Sequence, residues 1–182
     1  MIIIIYIQSI NKEVKYVKSD IDNEFYLVRD LTNSQQAANM LARIKNNMSI
    51  ISTHLEKFKN NKYKRYAKYI DRLTKKLKYT EINERGSDDA YTSYSINKGE
   101  QIVFCLRSEK NKNRIHDINL IMYVALHEMG HVASPEYGHT KLFKELFAFL
   151  TQIAIELNIY KKMEFKRNPK EYCGLTISDS II

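Results

Sequence analysis

Hydrophobic and polar positions alternate over short distances at the start of the chain. The segments VKYVKS (14–19) and FYLVRD (25–30) are rich in β-branched and aromatic residues, and the polar residues 20–23 between them indicate a turn. The preceding run MIIIIYI (1–7) is apolar throughout, which is typical of a buried strand. The pattern therefore predicts that residues 1–31 form N-terminal strands.

A helical period replaces this alternation from residue 37 onwards. Apolar side chains recur every three or four positions up to residue 58, and a second series of the same kind runs from residue 63 to residue 77. The polar segment NNKY separates the two series. Residues 32–78 are therefore predicted to form a helical hairpin, and core packing alone explains both apolar stripes.

The next segment, EINERGSDDA (81–90), is polar and is predicted to be a loop. Two β-prone runs follow, YTSYSI (91–96) and QIVFCL (101–106), and the turn-forming residues NKGE lie between them. This arrangement predicts a β-hairpin.

Two helices are predicted in the last third of the chain. Asp117 is placed to cap a helix that contains INLIMYVALHEMGH, and Pro135 and Gly138 end that helix. Thr140 can cap a final long helix, and the tail from Tyr172 onwards is predicted to be extended. Residues 90–182 would then form a core of mixed structure, and the whole chain, 1–182, is predicted to be one α+β domain.

Composition narrows the class of protein. The chain is 44% hydrophobic and 27% charged, which is enough for a packed core, and its two cysteines, Cys105 and Cys173, do not predict a disulfide framework. We therefore expect a reducing, intracellular location in the cytoplasm or nucleus. The N-terminal apolar run is too short for a membrane span, which needs about 20 residues. Membrane association through this run is the alternative.

The net charge of +8 is concentrated in the second half of the helical hairpin. Ten basic residues lie between Lys57 and Lys78, against one acid, Asp71. Such a run can attract the phosphates of DNA or an acidic partner. A solvated helix face is the other interpretation.

The stretch HEMGHVASPEYGH (127–139) contains three of the five histidines. His127 and His131 are one helical turn apart, so both imidazoles can bind one metal ion. Glu128 lies beside the first histidine, where a general base acts on a metal-bound water. A catalytic zinc requires a third protein ligand, and the turn formed by residues 134–138 can return His139 to the same ion.

Several residues have alternative roles. Glu136 is a rival third ligand, and Cys173 could coordinate the metal as a thiolate. Tyr172 could donate a hydrogen bond to the oxyanion of the transition state, although a packing role is the favoured interpretation. His54 and His116 have no partner nearby in the sequence and are expected at the surface.

The segment ALHEMGHVASPEYGHTKLFKELF resembles the WLM and SprT-like zinc metallopeptidases, whose pattern is HExxH, a loop, a third histidine and a phenylalanine. Here those positions are His127, Glu128, His131, His139 and Phe143. The segments YTSYSINKGEQIVFCLRS and KEYCGLTIS extend this resemblance to the WLM-type metallopeptidases of large DNA viruses. The similarity runs from about residue 23 to residue 178.

The resemblance implies a zincin-like domain with a small antiparallel sheet, an HExxH helix and one Zn²⁺ held by the three histidines. It implies a peptidase that hydrolyses protein or peptide substrates through Glu128, and in cellular relatives these substrates are proteins crosslinked to DNA. The hairpin of residues 57–78 would then contact DNA. The alternative is a non-catalytic metal-binding or nucleic-acid-binding protein, or a virion-associated structural protein, that retains the fold.

Overall fold

Groups of two or three strands are separated by pairs of α-helices in the computed structural model, which describes residues 13–87 and 92–182. The strands are β1 (Val14–Lys18), β2 (Phe25–Arg29), β3 (Glu81–Glu84), β4 (Tyr94–Ile96), β5 (Gln101–Phe104), β6 (Lys170–Tyr172) and β7 (Leu175–Ile177). The α-helices are α1 (Ser34–Phe58), α2 (Ala67–Leu77), α3 (Ile118–Ala133) and α4 (Lys141–Glu156). This mixture confirms the predicted α+β class. The run MIIIIYI lies outside the described residues.

The strands form three small sheets. The hairpin β1–β2 and the hairpin β6–β7 are both antiparallel, and the third sheet has the order β3–β5–β4. In that sheet β5 is parallel to β3 and antiparallel to β4, so β4 is an edge strand. The sheet is therefore mixed and not purely antiparallel as expected.

The prediction of a loop from residue 81 was wrong for its first four residues, which form β3. This strand is polar because its side chains complete the hydrogen bonding of neighbouring segments. The side-chain oxygen of Asn83 accepts a hydrogen bond from the backbone N–H of Leu27 at 3.3 Å. Glu84 accepts one from the N–H of Arg29 at 2.7 Å and forms an ion pair with the buried Arg107 at 2.5 Å. Sequence periodicity does not detect a strand that is buried through polar contacts.

The predicted stripe on α1 is confirmed. Its members from Ala37 to Leu55 are buried, and α1 packs against the β1–β2 hairpin and α3. Helix α3 lies at the centre of the domain, because it also contacts α2, α4, β4 and β5. This central position explains why α3 is apolar on nearly all sides.

The predicted N-caps are found at the start of α3 and at the start of α4. The Asp117 side chain accepts a hydrogen bond from the N–H of Asn119 at 2.8 Å at the start of α3. The Thr140 hydroxyl accepts one from the N–H of Phe143 at 3.2 Å at the start of α4. Both bonds satisfy N–H groups that a helix cannot pair internally.

The two cysteines are joined, which the sequence analysis did not expect. Cys105 follows β5, and Cys173 lies in the tight turn between β6 and β7; they form a disulfide across 68 positions of sequence. Their approach depends on tertiary packing, which cysteine spacing alone does not predict. None of the helices in the described parts of the chain is both long and apolar enough to cross a bilayer.

Candidate metal centre

Three imidazole rings converge where α3 ends. His127 and His131 point to one side of the helix, and the loop of residues 134–138 brings His139 against them. The Nε2 atoms are 3.1 Å apart for His127 and His131, 3.2 Å for His131 and His139, and 3.0 Å for His139 and His127. Among residues 13–87 and 92–182, these three histidines are the group of potential metal ligands whose ligand atoms all lie within 4.8 Å of one another.

The rings are held in place by aromatic side chains of α4. Phe143 stacks on His131 with 4.2 Å between ring centroids and contacts His127 edge-on at 4.9 Å. Phe147 lies 5.2 Å from His127. Gly130 permits this contact, because a Cβ there would lie 3.1 Å from the ring of Phe143.

The electrostatics of the cluster keep two of its rings neutral. Burial and the neighbouring histidines lower the pKa of His127 to about 3. Burial, the charge of His139 and the charge of Lys98 lower the pKa of His131 to about 4. Neutral imidazole is the form that binds metal ions. Both rings could therefore bind a metal ion at neutral pH without releasing a proton.

The geometry of the three nitrogens fits zinc. Tetrahedral zinc with Zn–N bonds of about 2.0–2.1 Å places its nitrogen ligands roughly 3.3 Å apart. The observed separations of 3.0–3.2 Å are close to this value. Three imidazoles with their Nε2 atoms turned toward one point cannot all pair with one another, so a shared cation satisfies the set better than mutual hydrogen bonds.

Glu128 lies beside the cluster and is almost completely buried, with 4% of its surface exposed. Burial raises its pKa to about 7. A carboxyl group with a pKa near the working pH can both accept and release a proton.

An open cleft of about 710 Å³ gives access to these groups. The strand β4 and the residues before it line this cleft, together with Leu175 and Ile177 of the β6–β7 hairpin. Tyr123 and Phe147 also line the cleft. The cleft therefore combines residues of an outer strand with apolar surface.

Tyr172 is buried at the side of this cleft, near Glu128. Its hydroxyl oxygen is 2.7 Å from the hydroxyl oxygen of Ser93. Burial raises the pKa of Tyr172 well above its ordinary value, so the phenol stays protonated at neutral pH. Tyr172 therefore lines the same cleft as the three histidines.

The alternative ligands are not part of the converging group. Glu136 is exposed on the loop and is not part of the converging group, and Cys173 is bonded to Cys105. His116 is buried with 7% exposure, so the prediction of a surface position for it was wrong. It is buried because the β6–β7 hairpin covers it, with the ring of Tyr172 5.3 Å away.

The sequence analysis missed two side chains that support the candidate site. Ser93 holds the hydroxyl of Tyr172, and Lys98 contacts the loop that precedes His139. Ser93 lies in a run of small polar residues and Lys98 lies in a chain rich in lysine. The turn chemistry of NKGE was the one signal near Lys98.

The protein is an α+β domain with three convergent histidines on and after its central helix. No family model matches the chain. Protein R325 of Acanthamoeba polyphaga mimivirus is 46% identical over 170 residues, which cover 93% of this chain and 85% of R325. The chain therefore belongs to the family of viral proteins that includes R325.

Shorter similarities extend to other viruses. Protein 136R of Invertebrate iridescent virus 6 is 38% identical over 82 residues, 44% of each chain. Protein 042R of Invertebrate iridescent virus 3 is 38% identical over 85 residues, 46% of this chain and 50% of that protein.

Among solved structures, the crystal structure of Wss1 from Saccharomyces cerevisiae superposes with a TM-score of 0.49 and 22% identity, over 70% of this chain and 84% of that one. A mutant of Wss1 gives a TM-score of 0.39 and 20% identity, over 58% of this chain and 86% of that one.

Proposed function

We propose that this chain is a zinc-dependent metallopeptidase of the WLM type that hydrolyses peptide bonds. His127, His131 and His139 would be the metal ligands and Glu128 the catalytic base. The observation that supports this most is the convergence of three imidazole nitrogens next to a buried carboxyl group in an open cleft.

Three protein ligands leave one position of a tetrahedral zinc ion open, as catalytic sites require. When bound, zinc supplies Lewis acidity, which acidifies water and polarises a carbonyl oxygen. The chain contributes neutral ligands, since the pKa values of His127 and His131 lie well below neutrality. It also contributes the apolar packing of Phe143 and Phe147 behind the ligands.

Glu128 is suited to carry the proton. Its raised pKa of about 7 lets the carboxylate accept a proton from the attacking water and return that proton to the leaving amine. Tyr172 is a candidate donor to the developing oxyanion, because its hydroxyl is protonated and held by Ser93.

The substrate is proposed to be an extended protein segment. Among the described residues β4 is an outer strand of its sheet, and residues 92–95 line the cleft. An extended peptide can add to such an edge through main-chain hydrogen bonds, while its side chains occupy neighbouring pockets. Leu175 and Ile177, which also line the cleft, favour a substrate with apolar side chains.

Contact with DNA is the second part of the proposal. Lys64, Lys68 and Lys75 are exposed, and no ion pair with an acid is found for them among the described residues. Lys68 and Lys75 share one face of α2, because seven residues correspond to two helical turns. The ammonium of Lys68 is 4.8 Å from the ring centroid of Tyr69, which adds an aromatic surface beside the charge.

The metal site is tested by elemental analysis of wild type and the His139→Ala variant. We expect about one equivalent of zinc in the wild type and a large loss in the variant, because two histidines bind zinc far more weakly than three. Equal zinc in both proteins would remove His139 from the ligand set and return Glu136 to consideration.

Catalysis is tested by comparing wild type with Glu128→Gln on an unstructured protein, with and without DNA. Gln keeps the shape of the side chain but cannot accept the proton, so we expect cleavage to fall by about 10²-fold or more. Equal cleavage by both proteins would contradict the role of Glu128. A wild type that binds zinc and cleaves nothing would favour the non-catalytic alternative.

A further inference from the structure

The loop between the second and third histidines lies mostly at the surface. We call residues 134–138 the ligand loop. Ser134 is buried, but the four residues after it and His139 itself are exposed. Gly138 has a positive φ of 76°, so the chain turns just before His139. Core burial therefore does not fix the position of His139.

One side chain instead binds most of the ligand loop. The Nζ atom of Lys98 donates to the carbonyl oxygens of Ser134 at 3.2 Å, Pro135 at 3.0 Å and Glu136 at 2.6 Å. An ammonium group has three donors, and these three acceptors use all of them. The same atom lies 4.0 Å from the ring centroid of Tyr137, a favourable cation–π distance. Four consecutive residues of the loop are thus tied to Lys98.

Lys98 is itself held firmly. It lies in the turn between β4 and β5, where Asn97, Lys98 and Gly99 all have positive φ values. A Cβ on Gly99 would lie 2.9 Å from a methyl group of Val132, so the turn packs directly on the last turn of α3. The Nζ atom of Lys76 donates to the carbonyl oxygen of Lys98 at 2.8 Å.

Helix α2 also reaches the end of α3 directly. The Nε–H of Arg72 donates to the carbonyl oxygen of Val132 at 3.2 Å. This carbonyl belongs to the last turn of α3, where the helix leaves its oxygens without internal partners. Cations from α2 and from the β4–β5 turn therefore fix the segment that runs from His131 to His139.

We propose that Lys98 is a positioning residue that holds the ligand loop so that His139 reaches the metal ion; this inference rests on the proposed metal site. Residues that orient metal ligands commonly change metal affinity by 10–100-fold when they are replaced. A lysine that only capped α3 would contribute to folding stability and would leave the coordination of the metal unchanged.

The test compares Lys98→Met, Lys98→Arg and a control, Lys110→Met, in which the lysine is exposed on the connector before α3. Zinc affinity is measured by competition with a chromophoric chelator, and the site geometry is read from the visible absorption of bound Co²⁺. For Lys98→Met we expect zinc binding about 10–100-fold weaker and a changed cobalt spectrum. Lys98→Arg should recover part of the affinity, and Lys110→Met should match the wild type.

The outcomes separate the inference from the proposed function. A wild type that binds no zinc would remove the metal site itself. A wild type that binds zinc, together with a Lys98→Met variant of equal affinity and identical cobalt spectrum, would overturn the positioning role. Unfolding of the metal-free proteins reports whether Lys98→Met folds. If Lys98→Met does not fold, zinc binding is measured instead on Tyr137→Leu. Tyr137 is 85% exposed, and its ring contacts the ammonium group of Lys98. Weaker zinc binding in that variant supports the inference, and unchanged binding overturns it.

Discussion

At the scale of single residues, the buried histidine outside the metal centre has a predictable effect on stability. Burial lowers the pKa of His116, a change that the charge of Glu171 opposes and that of Arg114 reinforces. Its Nε2 atom has no hydrogen-bond partner in the part of the chain that the structure describes. The folded state therefore resists protonation of this ring.

The sign of the pH dependence follows from the proton count. Because the folded pKa of His116 lies below the unfolded value of 6.5, the unfolded chain binds this proton at a higher pH. The neutral ring is compatible with the fold above pH 6.5, and stability is lost as the pH falls below that value. Each unit by which the pKa is lowered corresponds to about 1.4 kcal/mol.

The measurement is denaturant unfolding of metal-free wild type and His116→Gln between pH 8 and pH 5. Both proteins contain the same three histidines at the metal centre, so the difference between them isolates His116. We expect the wild type to lose stability relative to the variant as the pH falls from 7 to 5. Parallel stability curves for the two proteins would contradict this.

Residue types explain how much of the site could be predicted. The spacing of His127, Glu128 and His131 has a direct geometric meaning on a helix, and His139 follows a turn that can bring it back. The position of Lys98 has no such meaning, because its partners are backbone carbonyl oxygens and these carry no sequence signal. Contacts of this kind become visible only in three dimensions.

At the scale of elements, strands that pair with a neighbour in the sequence were predicted, and the strand that pairs with a distant segment was missed. β4 and β5 are joined by a short turn and are β-prone, so local sequence predicts their pairing. β3 pairs with β5 in parallel, across 20 positions of sequence, and its polar side chains face Arg107 and β2. Its formation depends on contacts that are distant in the sequence, which local periodicity does not report.

The β6–β7 hairpin gives a prediction at this scale. Its turn contains Cys173 and Gly174, both with positive φ, and the disulfide to Cys105 ties that turn to the segment after β5. Tyr172 and Leu175, on either side of the turn, line the cleft. The disulfide therefore anchors one wall of the candidate site. A crosslink that closes a loop of this length contributes roughly 4 kcal/mol on the chain-entropy model.

Reduction of this disulfide should lower the free energy of unfolding and loosen the hairpin. We expect faster hydrogen exchange at residues 170–177 in reduced wild type, while zinc content stays unchanged because the ligands lie on α3 and at the start of α4. The Cys105→Ser/Cys173→Ser double variant is the control, and a reductant should have no effect on it. Equal exchange in reduced and oxidised wild type would show that the disulfide does not hold this wall.

At the scale of the whole molecule, the basic character of the chain is partly used within the fold. Lys59 pairs with Glu56 and Asp71, Lys62 pairs with Glu156, and Arg65 pairs with Glu145. Arg72 and Lys76 donate to backbone carbonyl oxygens. The count of ten basic residues in this region therefore overstates the charge that is available to a partner. Lys64, Lys68 and Lys75 are among the exposed lysines of this region for which no ion pair with an acid is found in the described part of the chain.

These three lysines predict a measurable salt dependence if the hairpin contacts DNA. Each phosphate contact contributes about −0.9 to the slope of log affinity against log salt for a duplex, and about −0.7 for a single strand. Replacing Lys64, Lys68 and Lys75 with Gln should therefore weaken DNA binding and reduce the slope by about 2 to 3. Fluorescence anisotropy with a labelled oligonucleotide at several salt concentrations measures both effects.

The control replaces Lys110, Lys144 and Lys161 with Gln. These residues are also exposed, and the change lowers the formal net charge of +8 by the same three units. If the hairpin is the contact surface, the control should retain most of the affinity and the slope, because a general loss of charge acts more weakly than the loss of direct phosphate contacts. Equal effects from the two triple variants would show that DNA responds to the overall charge of the molecule. In that case the hairpin would be a solvated face, and any action on DNA-bound proteins would depend on another surface.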